Sequence, residues 1–192
     1  MSALDDAPQV QVDDRAAWRA WLAANHATAP GVWMVTWRAR SGKAGLDYEA
    51  AVEEALCFGW VDSTGGVVDD ERGKLYFAPR KARSPWAGTN KVRVERLIRD
   101  GLMTPAGLVV IEQAKANGYW TILDGPERLE VPDDLARAFA GTPPAAANFA
   151  AWPPSVRKQQ LTQIAYGMRP ETRAARIAKL AEAARRNERP AS

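Results

Sequence analysis

The stretch ALCFGWVDSTGG, residues 55–66, is where a helical pattern gives way to an extended one, and it decides the fold class. Upstream of it Asp47 is placed to cap a helix whose apolar stripe is Ala51, Val52, Ala55 and Leu56, and Gly59 ends that helix. Cys57 lies beside the stripe and has no histidine within sequence reach, so it reads as a buried, inert thiol. Trp60-Val61-Asp62-Ser63 then leads into Gly65-Gly66 and a hairpin. Val67 and Val68 form one arm, Asp69–Lys74 the turn, and Leu75-Tyr76-Phe77 the other arm.

Toward the N-terminus, VWMVTWRAR follows Pro30-Gly31 and is rich in β-branched and aromatic residues. Trp33, Val35 and Trp37 alternate with Val32, Met34 and Thr36, which predicts a strand covered on both faces. Asp13-Asp14 supply an N-cap and an acidic first turn for a helix to about Asn25, with Ala17, Trp18, Trp21 and Leu22 on one stripe. His26, the only histidine, ends it and reads as structural. Gly42-Lys43 lacks the upstream glycine of a phosphate loop, so that motif is rejected.

Toward the C-terminus, Pro79 stops the last strand, and Arg80, Lys81 and Arg83 follow on a loop. Ser84-Pro85 reads as N-cap and first residue of a helix carrying Trp86, Asn90, Val94 and Leu97 on one face. A buried Asn90 amide needs a backbone group or a ligand as partner. Gly101 closes this helix and Thr104-Pro105 opens the next. Beyond a turn at Asp124-Gly125-Pro126 the chain is helical, with starts at Pro132, Pro154 and Pro170 and a last stripe of Ile177, Leu180, Ala181 and Ala184. The expectation is an α+β protein, helix-dominated, with a small antiparallel sheet flanked by helices. An α+β body spans 10–125 and a C-terminal helical segment 130–190.

Hydrophobic content of 46% over 192 residues is ample for a packed core. No apolar run reaches the ~18 residues of a membrane span. The N-terminal MSALDDAPQVQVDD is acidic and lacks the apolar core of a signal peptide, and a single cysteine fits a reducing compartment; a cytoplasmic location is expected. Net charge is +3 but unevenly placed: residues 1–71 carry −7, residues 72–99 carry +8 and the remainder +2. The basic segment must meet an anion, the acidic first part of its own chain, or water.

Several uncommon runs occur together. ALCFGWVDS at 55–63, F-x-PRK-x-R-SPW at 77–86, N-K-x-R-V-E-R-L at 90–97, GLMTPAG at 101–107 and RPETRAARI at 169–177 resemble the bacterial OmpD-associated, bacteriocin-protection family (YdeI/OmdA-type). The resemblance runs from Trp18 to the last helix. Gln163, where that family's pattern has an aromatic, and Gly167-Met168, where it has Ala-Lys, depart from it. The resemblance implies a role in resistance to bacteriocins or cationic peptides, a link to an outer-membrane porin, and no established catalytic residues. The periplasmic setting it implies runs against the N-terminus read above.

The residues themselves single out one constellation: Trp60, Asp62 and Ser63 after a helix end, and Arg80, Lys81, Arg83, Ser84, Trp86 and Asn90 beyond a hairpin. Arginine forks suit carboxylate or phosphate, a helix N-terminus adds free N–H groups, and tryptophans wall a flat ligand. The functional expectation is a non-metal stress-resistance protein binding a small anionic ligand there, with no cofactor. The alternative for the same residues is structural: Asp62 pairs with Arg80 or Arg83, Ser84 only caps, and both tryptophans are core. A second functional class is nucleic-acid binding through the basic 72–99 segment and the C-terminal helix, with Tyr76, Phe77 and Trp86 as stacking platforms. A third is an enzyme using Asp62 as base, for which no metal cluster and no Ser-His-Asp set exists in the sequence. The C-terminal helices also offer a surface for a protein partner.

Overall fold

The computed structural model describes residues 6–190. The chain divides into two compact units. The first takes the chain up to Ser84 together with Thr89–Asn117; the second takes Pro85–Gly88 together with the chain from Gly118 onward.

In the first unit the elements run β1 (Gln9–Gln11), α1 (Arg15–Asn25), β2 (Val32–Trp37), α2 (Tyr48–Cys57), β3 (Trp60–Val67), β4 (Arg72–Pro79), α3 (Gly88–Arg99) and α4 (Pro105–Ala116). The sheet order is β1-β2-β4-β3. β4 pairs antiparallel with both β2 and β3, as expected, and β1 joins β2 in parallel, which makes the sheet mixed. The three residues of β1 have no apolar alternation of their own; they are held by backbone bonds, continued by Val12 N–H to Val35 O at 2.9 Å.

The hairpin is longer than its glycines imply. Trp60–Ser63 are the first half of β3 rather than a lead-in, Gly65-Gly66 lie within the strand, and the turn shrinks to the residues between Val67 and Arg72. β3 is an edge strand, where glycine weakens little, and the irregularity between Asp62 and Gly65 absorbs Ser63 and Thr64.

α2 is the centre of this unit: every residue from Ala51 to Trp60 is buried. Asp47 caps it by accepting from Ala50 N–H, and Asp14 caps α1 by accepting from Ala17 N–H. Trp18 donates its indole N–H to Ala51 O at 3.0 Å, stacks on Trp21 at 5.3 Å and meets Phe77 at 5.1 Å. Ala17, expected on the same stripe, is exposed. α4 seats on the end of α2 through Thr104, whose hydroxyl donates to Cys57 O at 2.6 Å. A Cβ on Gly107 would stand 2.4 Å from that same carbonyl, so only glycine lets the two helices close. This is the local reason for the GLMTPAG run.

Ser84-Pro85 does not start α3, which begins at Gly88. The intervening residues belong to the second unit, where Trp86 N–H donates to Tyr119 O at 3.3 Å and its ring packs on Trp120 at 4.9 Å. Trp86 is therefore not on the helix face shared by Asn90, Val94 and Leu97. Tertiary packing has overridden a good capping pair.

The rest of the second unit is helical: α5 (Asp124–Glu127), α6 (Asp133–Ala140), α7 (Ala145–Ala151), α8 (Pro154–Ala165) and α9 (Pro170–Arg185). Its core gathers Leu135, Phe139, Phe149, Trp152, Leu161 and the α9 stripe of Ile177, Leu180, Ala181 and Ala184. The prolines expected at the starts of α8 and α9 occupy their first positions. Among the described residues no helix is long and apolar enough to cross a membrane.

Candidate functional site: a buried arginine in an apolar hollow

The turn from Gly59 into β3 and the end of β4 lie side by side, tied by Arg80 N–H to Gly59 O at 2.9 Å. They bring Trp60 and Arg80 into one shallow hollow of about 430 Å³ in the first unit. Phe58, Pro79, Pro105 and Val109 form most of its apolar wall, and His26 borders it. Trp60 is held in place by its indole N–H, which donates to His26 O at 3.2 Å, and by an edge contact with Trp21 at 5.8 Å.

Arg80 is the one strongly charged group of this lining, and it is only 8% exposed. Burial pushes its guanidinium down to about 10, although the nearby Asp62 carboxylate pulls the other way. It remains the cation at neutral pH. Its Nη1 donates to Ser84 Oγ at 3.1 Å. The loop behind it is pinned by Asn117 Nδ2 donating to Ala82 O at 2.7 Å and by Ser84 N–H to Lys81 O at 2.8 Å. Ser84 thus positions an arginine rather than capping a helix.

The other residues singled out in the sequence fall in different places. Asp62 is half-buried and accepts the Tyr48 hydroxyl at 2.9 Å. Burial, and then that carboxylate, raise the Tyr48 pKa. Ser63, Lys81 and Arg83 are exposed. Asn90 is half-buried and its Oδ1 accepts from Arg93 Nη1 at 2.8 Å, so a side chain, not a backbone group, answers its amide. Trp86 lies in the second unit.

A second polar feature of this unit was not anticipated. Glu53 and Glu54, only 6% and 2% exposed, sit on the buried helix α2. Arg15 reaches Glu54 at 2.5 Å and Glu53 at 2.9 Å, and Arg19 reaches Glu54 at 2.7 Å. From α3, Arg96 pairs with Glu53 and Arg93 grips Glu49 through two nitrogens. Hydrogen bonding to Arg93 is the main reason the Glu49 carboxyl lies below its ordinary range. For Arg19, burial lowers the pKa, but the hydrogen bond and charge of Glu54 outweigh it. Four arginines from two helices thus clamp three carboxylates of one helix. The signal in the sequence was the pair Glu53-Glu54 enclosed by apolar residues, with Arg15 and Arg19 four apart on a neighbouring helix.

Part of the basic 72–99 segment is accordingly answered within the chain, by Glu49 and Glu53. Cys57 is buried and free, and burial raises its thiol pKa, as expected of an inert side chain. Among the described residues no group of three or more His, Cys, Asp or Glu is placed to hold a metal ion.

Comparison with known families divides the chain in the same order. A family model described as a domain of unknown function (DUF8412) matches residues 10–110, more than half the chain. A second, OmdA, described as "Bacteriocin-protection, YdeI or OmpD-Associated", matches residues 128–187. The chain belongs to the DUF8412 family and carries an OmdA domain. The hollow, Arg80 and the clamp around α2 lie within the DUF8412 match. The RPETRAARI run lies within the OmdA match, whereas the motifs at 55–107 lie within DUF8412. No curated protein and no solved structure matches the chain.

Proposed function

We propose that this OmdA-domain protein serves a bacteriocin-protection-type stress resistance by binding a small anion with an apolar body in the hollow of its first unit. The observation that carries the reading is the Arg80 guanidinium, buried in an otherwise apolar wall and held below its ordinary pKa by that burial. A cation held largely out of water in an apolar wall interacts strongly with a negative charge brought beside it. The apolar wall gives a ligand's body a place to rest, and Ser84 and the pinned loop hold the guanidinium in one direction. A carboxylate or phosphate ester on a short apolar or aromatic body is the chemical class this wall fits. Trp60 contributes packing, and Asp62 sets the field from behind while engaged with Tyr48.

Titration calorimetry against aryl and alkyl carboxylates and phosphates, with wild type and Arg80→Lys, tests it. The expected result is saturable binding by an anion with an apolar body, at least tenfold weaker in Arg80→Lys, since an ammonium does not reproduce the planar fork. Equal binding by both proteins, or none by either, contradicts it.

A further inference from the structure

The second unit holds a separate groove between α8 and α9. It has a volume of about 310 Å³ and takes Gln159, Gln160 and Gln163 from α8 and Arg176 and Lys179 from α9. The spacing explains the arrangement. Gln159 and Gln163 stand four apart on one helix face and Arg176 and Lys179 three apart on the other, so amides and cations line opposite walls. Ile164 and Leu180, both buried in the core, close the bottom of the groove, and Pro190 borders it.

The charges of this groove are not balanced from within it. Its lining has two cations and no carboxylate. Of the acidic groups on and near these helices, Glu182 pairs with Arg185 and Arg186, Glu127 with Lys158 and Asp134 with Arg173, while Glu171, in the first turn of α9, is exposed and does not line the groove. Arg176 Nη1 donates to Gln163 O, which ties the guanidinium to the α8 wall of the groove. Lys179 is exposed and enters no ion pair among the described residues.

We propose that the α8–α9 groove is a mononucleotide site. Its two cations take the phosphate, and Pro190 with the aliphatic stems of the lining side chains takes one face of the base. The carboxamides of Gln159, Gln160 and Gln163 meet its edge, each presenting a donor and an acceptor together, the pairing that suits a purine edge. Arginine and lysine side by side supply a fork and a point charge for phosphate. The site is independent of Arg80 and of the reading built on it.

The test uses the full chain, titrated with AMP, adenosine, ribose 5-phosphate and inorganic phosphate at fixed ionic strength, and followed by the side-chain amide signals of the glutamines in ¹⁵N–¹H spectra and by calorimetry. AMP is expected to bind saturably, shift those amide signals, and bind more tightly than any of its parts. Lys179→Gln, at an exposed position with no packing role, is expected to weaken AMP at least tenfold with the fold intact. Gln163→Ala is expected to weaken AMP and adenosine while leaving inorganic phosphate unchanged. Three results overturn the proposal. One is the absence of saturable AMP binding; another is a response to every anion that only follows ionic strength. The third is binding that strengthens with oligonucleotide length and falls steeply with salt, which would assign the groove to single-stranded nucleic acid instead.

Discussion

The two units hold their helices together by different physics. In the second, α6 to α9 meet chiefly through an apolar cluster; its ion pairs are exposed, as Arg185 with Glu182, or half-buried, as Arg173 with Asp134. In the first, the central helix α2 is buried from Ala51 to its end, and two of its buried residues are glutamates clamped by arginines from α1 and α3. An apolar stripe tolerates small shifts between helices. A clamped carboxylate does not, because removing any one partner leaves a charge in a site it cannot leave. The first unit, with its charged clamp, is also the one that places a buried arginine beside a hollow.

The comparison breaks most readily at the apolar core. Phe149→Ala removes a ring packed between Phe139 and Trp152 and is expected to cost the second unit about 3–5 kcal/mol. Denaturant unfolding followed by hydrogen exchange in α7 and α9 measures it, and the loss should be the same in low and high salt. Next in size, Glu54→Gln should cost the first unit about 2–4 kcal/mol. That is below the ceiling for a fully buried pair, because Arg15 and Arg19 remain about 40% exposed and rehydrate. Read by exchange in α1 and α2, a cost under half a kilocalorie would show that the clamp is incidental.

The smallest effect expected is at Asp134, whose carboxyl is held below its ordinary range chiefly by hydrogen bonds from Arg173. A depressed folded pKa contributes stability that is fully present above the unfolded value of about 3.9 and is lost as pH falls through the folded value. Asp134→Asn should therefore cost under ~1 kcal/mol at neutral pH and remove part of the second unit's acid sensitivity below about pH 4. Acid titration of the helical circular dichroism signal compares the two proteins.

Legibility in the sequence followed the same division. The second unit's helices were readable because apolar spacing, Pro starts and Gly stops all agree with their packing, as at Pro170 and the Ile177–Ala184 stripe. In the first unit α2, its Asp47 cap and the β2 strand were equally plain. What escaped was set by contacts far along the chain. Gly65-Gly66 look like punctuation yet lie in an edge strand. Ser84-Pro85 look like a helix start, yet Trp86 is drawn into packing on Trp120. Glu53-Glu54 sit among apolar residues in the sequence, but the arginines that answer them, Arg15, Arg19 and Arg96, are brought there only by the fold. Within the candidate site, Trp60 and Arg80 were singled out together from the sequence and do share the hollow. That Arg80 is buried while Lys81 and Arg83 stay in water could not be read from a run of basic residues, since the pleat of β4 and the pinned 80–84 loop decide which of them turns inward.

The most direct measurement is equilibrium unfolding of Arg80→Met beside wild type, each with and without the tightest anion found by calorimetry. If Arg80 is kept for a ligand, methionine fills its place in an apolar wall. The free protein should then lose nothing or gain up to about 1–2 kcal/mol, while the ligand's stabilisation disappears. If instead Arg80→Met loses several kilocalories, as a broken clamp would, and the anion stabilises both proteins alike, Arg80 is scaffold and the hollow is not the site.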